Sequence, residues 1–202
     1  MPDRFLSISG FILAGGESRR MGRDKAKLVL GTETLLERQI RLLQSVCRSV
    51  TVLGRPKDFP GLEVAVLADL EPGRGPLGGL ATGLSATRTE YNLFLSCDLP
   101  LMEWRFLHWL AEQALESRAE ALVPKTRGGE VQPLCAVYAR RALPTLRATL
   151  AGGQNQARGF FPRVRWRVIS WAEIARAGFS PRIFDNMNTP QDYEAAKRVL
   201  NS

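Results

Sequence analysis

No stretch of this 202-residue chain approaches the ~20 consecutive apolar residues that a membrane-spanning helix needs. Near the amino end, no apolar run of signal-peptide length follows a basic segment. These two absences predict a cytoplasmic protein with no membrane partner. Cysteine is scarce: Cys47, Cys97 and Cys135 are odd in number and widely spaced. They form neither a zinc pattern nor an obvious disulfide framework, and they read as reduced thiols in the core or near a site. Histidine occurs once, as His108, in an amphipathic stretch where packing or surface exposure accounts for it. Internal repeats and low-complexity segments are missing too, and Gly152-Gly153-Gln154-Asn155-Gln156 is a loop rather than a domain linker. At 45% hydrophobic residues the composition is that of an ordinary globular protein. One domain spanning residues 1–202, with a sizeable core, is expected.

Acidic residues are the minority charge. Lys and Arg number 28 against 20 Asp and Glu, a formal net charge of +8. That sign attracts anions. Nucleic acid is one class of anion, but the basic residues are scattered (Arg127, Arg140, Arg141, Arg158, Arg163, Arg165, Arg167) and no nucleic-acid motif accompanies them. A polyphosphate, a phosphorylated second substrate or an acidic protein partner explains the sign as well.

What is present begins at Phe11-Ile12-Leu13, an apolar run that stops at Ala14-Gly15-Gly16 and is followed by Ser18, Arg19, Arg20, Gly22, Arg23, Asp24, Lys25 and Lys27. Glycines let a ligand approach the backbone closely, and exposed N–H groups beside cations suit a polyphosphate. The loop is not a Walker A motif, which needs glycine, then Lys, then Ser or Thr. Here Gly22 precedes Arg23, and Lys25 precedes Ala26. Nor is it a dinucleotide fingerprint, because Gly15 and Gly16 are adjacent.

Further on, strand and helix signals alternate. Strands are expected at 8–13, 49–53, 63–67, 91–95, 121–124, 132–138 and 165–169. Helices are expected at 34–46, 77–87, 104–116, 140–150 and 190–200, the last with Pro190 at its start. Such alternation implies an α/β fold with a helix-covered parallel sheet. In such sheets ligands bind beyond the carboxyl ends of the strands. Asp69 falls there, ahead of the Gly- and Pro-rich stretch 71–79. Asp98 falls there too, ending the run Tyr91–Leu95 within Ser96-Cys97-Asp98-Leu99-Pro100. A carboxylate at the end of a buried strand is costly unless paired or metal-bound, and Mg²⁺ takes hard oxygen ligands of this kind. A helix cap is the plainer role for Asp98. For Asn188 or Thr189, ahead of the last helix, a cap is also the simplest reading.

Leu13-Ala14-Gly15-Gly16-x-Ser18-x-Arg20-Met21-Gly22-x-Asp24-Lys25 resembles the signature loop of the molybdenum cofactor guanylyltransferases. Cys97-Asp98-x-Pro100, Gly75-Pro76-Leu77-Gly78-Gly79, Gln132-Pro133-Leu134 and Asn186-x-Asn188-Thr189-Pro190 extend the resemblance over most of the chain. It implies a single-domain, Rossmann-like nucleotidyltransferase fold with a mostly parallel sheet. The implied activity is transfer of GMP from GTP to the terminal phosphate of molybdopterin or its molybdenum-loaded form. Mg²⁺ would be the cofactor, on Asp98. Lys25, Arg20 and Asp98 would carry catalysis. Leu13, Ala14, Gly15, Gly16, Lys25, Asp69, Gly78 and Asp98 would hold the nucleotide, and Gln132, Asn186 and Asn188 the acceptor. Cofactor-delivery proteins or molybdoenzyme chaperones would be the protein partners, and nucleic acid is not expected. A sibling transferase using CTP or a sugar-phosphate acceptor is the alternative within the class, and a non-catalytic delivery or adaptor protein the alternative outside it. One position departs from the pattern: after the second expected strand the family often has asparagine, and this chain has Gly54 and Arg55.

Overall fold

The computed structural model describes residues 7–14 and 25–200. Strand β1 (Ile8–Leu13) is followed by a 3₁₀ turn at Lys25–Lys27, a two-residue hairpin β2 (Val29–Leu30) and β3 (Glu33–Thr34), and helix α1 (Leu35–Gln44). Next come β4 (Ser49–Leu53), β5 (Ala65–Leu67), α2 (Gly75–Ala86), β6 (Tyr91–Ser96), α3 (Trp104–Ser117), β7 (Ala121–Pro124) and β8 (Cys135–Ala139). The chain continues through α4 (Leu143–Ala151), α5 (Ala157–Phe160), β9 (Trp166–Ile169), α6 (Trp171–Arg176) and α7 (Pro190–Leu200).

Seven strands form one sheet in the order β5-β4-β1-β6-β8-β7-β9. Every pair is parallel except those that β8 makes with β6 and β7. Because β8 alone is reversed, β1, β4, β5, β6, β7 and β9 all point their carboxyl ends the same way. The chain leaves β1 to one side for β4 and β5 and returns to its other side as β6. That reversal of order leaves a crevice between β1 and β6, where doubly wound sheets bind ligands.

Helices cover both faces. Alternation along β1 sends Ile8 and Ile12 to one face, into a core shared with α1, α3, α6 and α7. Phe11 faces the other way, into a core with α2, α4 and α5. On that side Phe11 stacks on Phe94 at 5.0 Å, and Tyr138 meets Phe94 edge-on at 5.6 Å. Helix α1 shows how local signals set an element. Leu35, Leu36, Ile40, Leu42 and Leu43 bury one side, and Thr34 starts the helix with a capping box: its hydroxyl accepts from the Glu37 N–H while Glu37 reaches back to the Thr34 N–H.

Several expectations need correction. The helix expected at 77–87 starts two residues earlier, at Gly75, and ends at Ala86. Gly75 at φ +61° starts it, and Pro76 loses nothing there because the first helical N–H groups have no partner. The strand expected at 132–138 begins only at Cys135 and runs antiparallel. The strand expected at 63–67 begins at Ala65. Residues 140–142 form a 3₁₀ turn ahead of α4 rather than its first turn. The hairpin β2–β3 and the short helices α5 and α6 were not foreseen; each is too brief for its periodicity to register. Among the described residues no helix is long and apolar enough to cross a membrane.

Candidate active site

The ladder hydrogen bonds run past the strand ends and align them. The Ala14 N–H donates to Leu53 O (3.0 Å), Gly54 N–H to Leu67 O (2.9 Å) and Cys97 N–H to Leu13 O (3.2 Å). Leu13 and Ala14, half-buried, therefore open the crevice directly beside Cys97-Asp98. Gly15, Gly16 and Arg20 lie outside the described residues.

Asp98 is half-exposed. The Ser96 hydroxyl donates to its Oδ1 at 2.5 Å. It caps no helix: the residue preceding α3 is Glu103, with no side-chain cap. The loop that carries Asp98 is pinned from below by α1. Gln39, fully buried, donates from Nε2 to Leu99 O (2.7 Å), and Arg38 donates from Nε to Pro100 O (2.9 Å). Sequence reading passed over both residues. The available signal was a glutamine in the apolar stripe of an amphipathic helix, where an unpartnered amide would be costly.

Lys25 begins the 3₁₀ turn Lys25–Lys27 and donates from Nζ to Asn188 Oδ1 at 2.6 Å. One residue earlier, the Met187 N–H donates to Asp98 O at 2.9 Å. The 187–188 segment thus touches both the lysine and the aspartate, which sit at one end of the sheet. Met187 is fully buried and anchors that segment in the core. Thr189, not Asn188, caps α7, with its hydroxyl accepting from the Asp192 N–H (3.2 Å); the Asn188 side chain remains on Lys25.

Asp69, after β5, is tied to its own loop. Its Oδ1 accepts from the Glu71 N–H (3.0 Å) and from the Thr82 hydroxyl (2.8 Å). Both contacts fall on Oδ1, which leaves Oδ2 the more open oxygen for a ligand. Gly78 explains its own identity: a Cβ there would lie 3.0 Å from Glu71 O and 3.3 Å from Asp69 Oδ2. Gly54 has the same constraint, since a Cβ would meet Phe59 at 2.8 Å, so the family's asparagine would need Phe59 to move.

Gln132 and Asn186 line one cleft of about 340 Å³, walled by Thr126, Arg127, Phe184 and Asp185. It opens at the same end of the sheet, because β7 leads into it and β8 leads out. The Ser96 N–H donates to Leu134 O at 2.6 Å, which joins the cleft to the Asp98 strand. Asn188, whose side chain is on Lys25, does not line this cleft. His108 stands on α3 against Trp104 and near Glu112.

A strand-end carboxylate, a lysine tied to the 187–188 segment that also touches that strand end, and an adjacent polar cleft stand together at the carboxyl end of the sheet. Residues 10–166 match the MobA-like NTP transferase domain, and the chain belongs to that family of nucleotidyltransferases. It is 36% identical to the probable molybdenum cofactor guanylyltransferase of Chloroflexus aggregans, over 98% of this chain and 97% of that one. The solved structure of molybdopterin-guanine dinucleotide biosynthesis protein A from Archaeoglobus fulgidus superposes with a TM-score of 0.82 at 23% identity, over 96% of this chain and 98% of that one. The 2-C-methyl-D-erythritol 4-phosphate cytidylyltransferase of Thermus thermophilus superposes at 0.71 with 19% identity, over 97% and 100% of the two chains. At those identities both structures speak for the fold alone, and that fold serves more than one base.

Proposed function

We propose that this chain transfers GMP from GTP to the terminal phosphate of molybdopterin or its molybdenum-loaded form and releases pyrophosphate. The observation that carries the reading is the meeting of Lys25 and Asp98 through residues 187 and 188 at the β1–β6 crevice. The relatives' names supply the nucleotide and the acceptor.

A phosphate monoester with a second pKa near 6 is already an anionic nucleophile at neutral pH. No general base is required. Repulsion between two anions is then the main obstacle. Lys25 offsets it by placing an ammonium against the triphosphate. The cleft around Gln132 and Asn186 holds the acceptor so that its phosphate oxygen reaches the α-phosphorus in line with the departing pyrophosphate. Asp69 offers Oδ2 to base or ribose.

For Mg²⁺, the donor set is one carboxylate, with no cluster of three or more acidic, Cys or His ligands among the described residues. That suits an ion which usually takes one or two carboxylates and fills its shell with water and substrate phosphates. Asp98 would hold it through the oxygen that Ser96 leaves free, and the bound ion would supply charge neutralisation at the phosphates. The buried free thiols fit a reducing, cytoplasmic setting.

Lys25→Ala and Asp98→Asn should each keep the thermal midpoint near wild type. Each should lower product formation by about 10²-fold or more, the scale of losing one preorganised charge. The readout is the guanine dinucleotide product by mass, with pyrophosphate release. Wild-type turnover by Asp98→Asn would overturn the metal assignment. A preference for CTP in a nucleotide panel would overturn the guanylyl assignment.

A further inference from the structure

The start of α7 does more than begin a helix. Asp192 Oδ2 accepts from the N–H of Asn188 (2.9 Å) and of Thr189 (2.8 Å). Those two bonds fix the backbone of Asn188, whose side-chain oxygen receives the Lys25 ammonium at 2.6 Å. The next residue on the helix, Tyr193, donates its hydroxyl to Val29 O at 2.7 Å, four residues beyond Lys25. Between these two points, the Leu28 N–H closes onto Lys25 O (3.1 Å) and the Leu35 N–H onto Leu28 O (2.8 Å). The stretch from Lys25 to Val29 is therefore held at both ends by the start of the carboxyl-terminal helix and the residue just before its cap.

We infer that Asp192, with Tyr193, is a positioning residue: it sets the backbone of Asn188 so that Asn188 holds the Lys25 ammonium at the crevice. The inference rests on the assignment of Lys25 to the triphosphate. A lysine has four rotatable bonds, and the entropy of holding it is considerable. An exposed ammonium pointing at an empty crevice would sample many directions. The Asn188 oxygen selects one, and it is neutral, so the positive charge is kept for the substrate. Asp192 is the nearest acid in this chain of contacts. It spends its charge on two backbone N–H groups rather than on the ammonium directly, and its carboxyl is held below the ordinary range first by the Asn188 N–H, then by Thr189, with Lys25 adding a smaller pull.

A helix cap alone would predict lost stability and nothing else, so the test separates the two. Asp192→Ala removes both the cap and the hold on Asn188. Thr189→Ala removes the other half of the cap, the hydroxyl bond to the Asp192 N–H, and leaves Asn188 held. Asp192→Asn keeps an oxygen that can accept from both N–H groups. Three readouts apply: thermal midpoint, steady-state kinetics with Mg·GTP and acceptor, and amide hydrogen exchange over residues 25–34. Asp192→Ala should lower kcat about tenfold, a modest misplacement by the standards of positioning groups. The acceptor KM should stay within about twofold, Asp192→Asn should restore most of the rate, and Thr189→Ala should lower the midpoint comparably with kcat nearly intact. Exchange at 25–34 should accelerate in Asp192→Ala and not in Thr189→Ala. Equal rates and equal exchange in Asp192→Ala and Thr189→Ala would overturn the inference. If the wild-type protein makes no guanylyl product, the functional reading fails, and the exchange comparison still decides the role of Asp192.

Discussion

Burial gives single residues very different chemistry in this protein. The thiol of Cys47 is pushed up to about 12 by burial alone, and that of Cys135 is pushed up further for the same reason. At pH 8 the reactive thiolate of Cys47 is then about one part in ten thousand. The sign is simple: a raised thiol pKa means less thiolate at a given pH. Iodoacetamide at pH 8 should leave both residues unmodified in the native protein and label both in urea, as read by peptide mass. Rapid labelling of either in the native state would contradict the packing of α1 against β1 or the place of β8 in the sheet. Asp69, half-buried, takes its backbone and hydroxyl partners on one carboxylate oxygen.

At the scale of elements, α2 is set by what it lacks. Its glycines bring the helix axis close to the sheet, and at Gly83 the approach is tightest. A Cβ there would stand 2.7 Å from the Phe94 ring and 3.1 Å from Phe11. Gly83→Ala gains helix propensity of about 1 kcal/mol yet inserts a methyl into a packed aromatic pair. Overpacking of this kind typically costs about 1–3 kcal/mol. The net result expected in urea unfolding is a lower midpoint with unchanged slope. Rings that slide apart at no cost would instead give a more stable protein. Because α2 follows the Asp69 loop, the same substitution should also weaken GTP binding if the helix shifts outward, which a titration of nucleotide affinity would detect.

Across the whole molecule, the net charge of +8 sets how anionic substrates arrive. Favourable long-range attraction is screened over about 10 Å at 0.1 M salt. Raising potassium chloride from about 0.05 M to about 0.5 M should therefore raise KM for both substrates, with a smaller change in kcat. A flat KM would mean that capture depends on close contacts only. The arrangement of six strands pointing one way and one reversed matters at this scale too. Reversing β8 places the turn before Gln132 at the same end of the sheet as Asp98, so the polar cleft and the strand-end carboxylate become neighbours.

Element identity was largely decided locally. The apolar alternation of β1, the single stripe and capping box of α1, and the Pro190 start of α7 each state their own structure, because period and caps act within a few residues. The density of glycine and cation after Leu13, and the aspartate at the end of β6, are what led from the sequence to the phosphate-binding role proposed above. Tertiary structure decided what local signals cannot carry. Asn188 reaches Lys25 across 163 residues, Gln39 supports the Asp98 loop from 60 residues away, and Asp69 gives one of its oxygens to its own turn. Such pairings arise from how strands order themselves in the sheet and which backbone groups are left to satisfy at its carboxyl end. That outcome is settled by the packed molecule as a whole, and no window of sequence contains it.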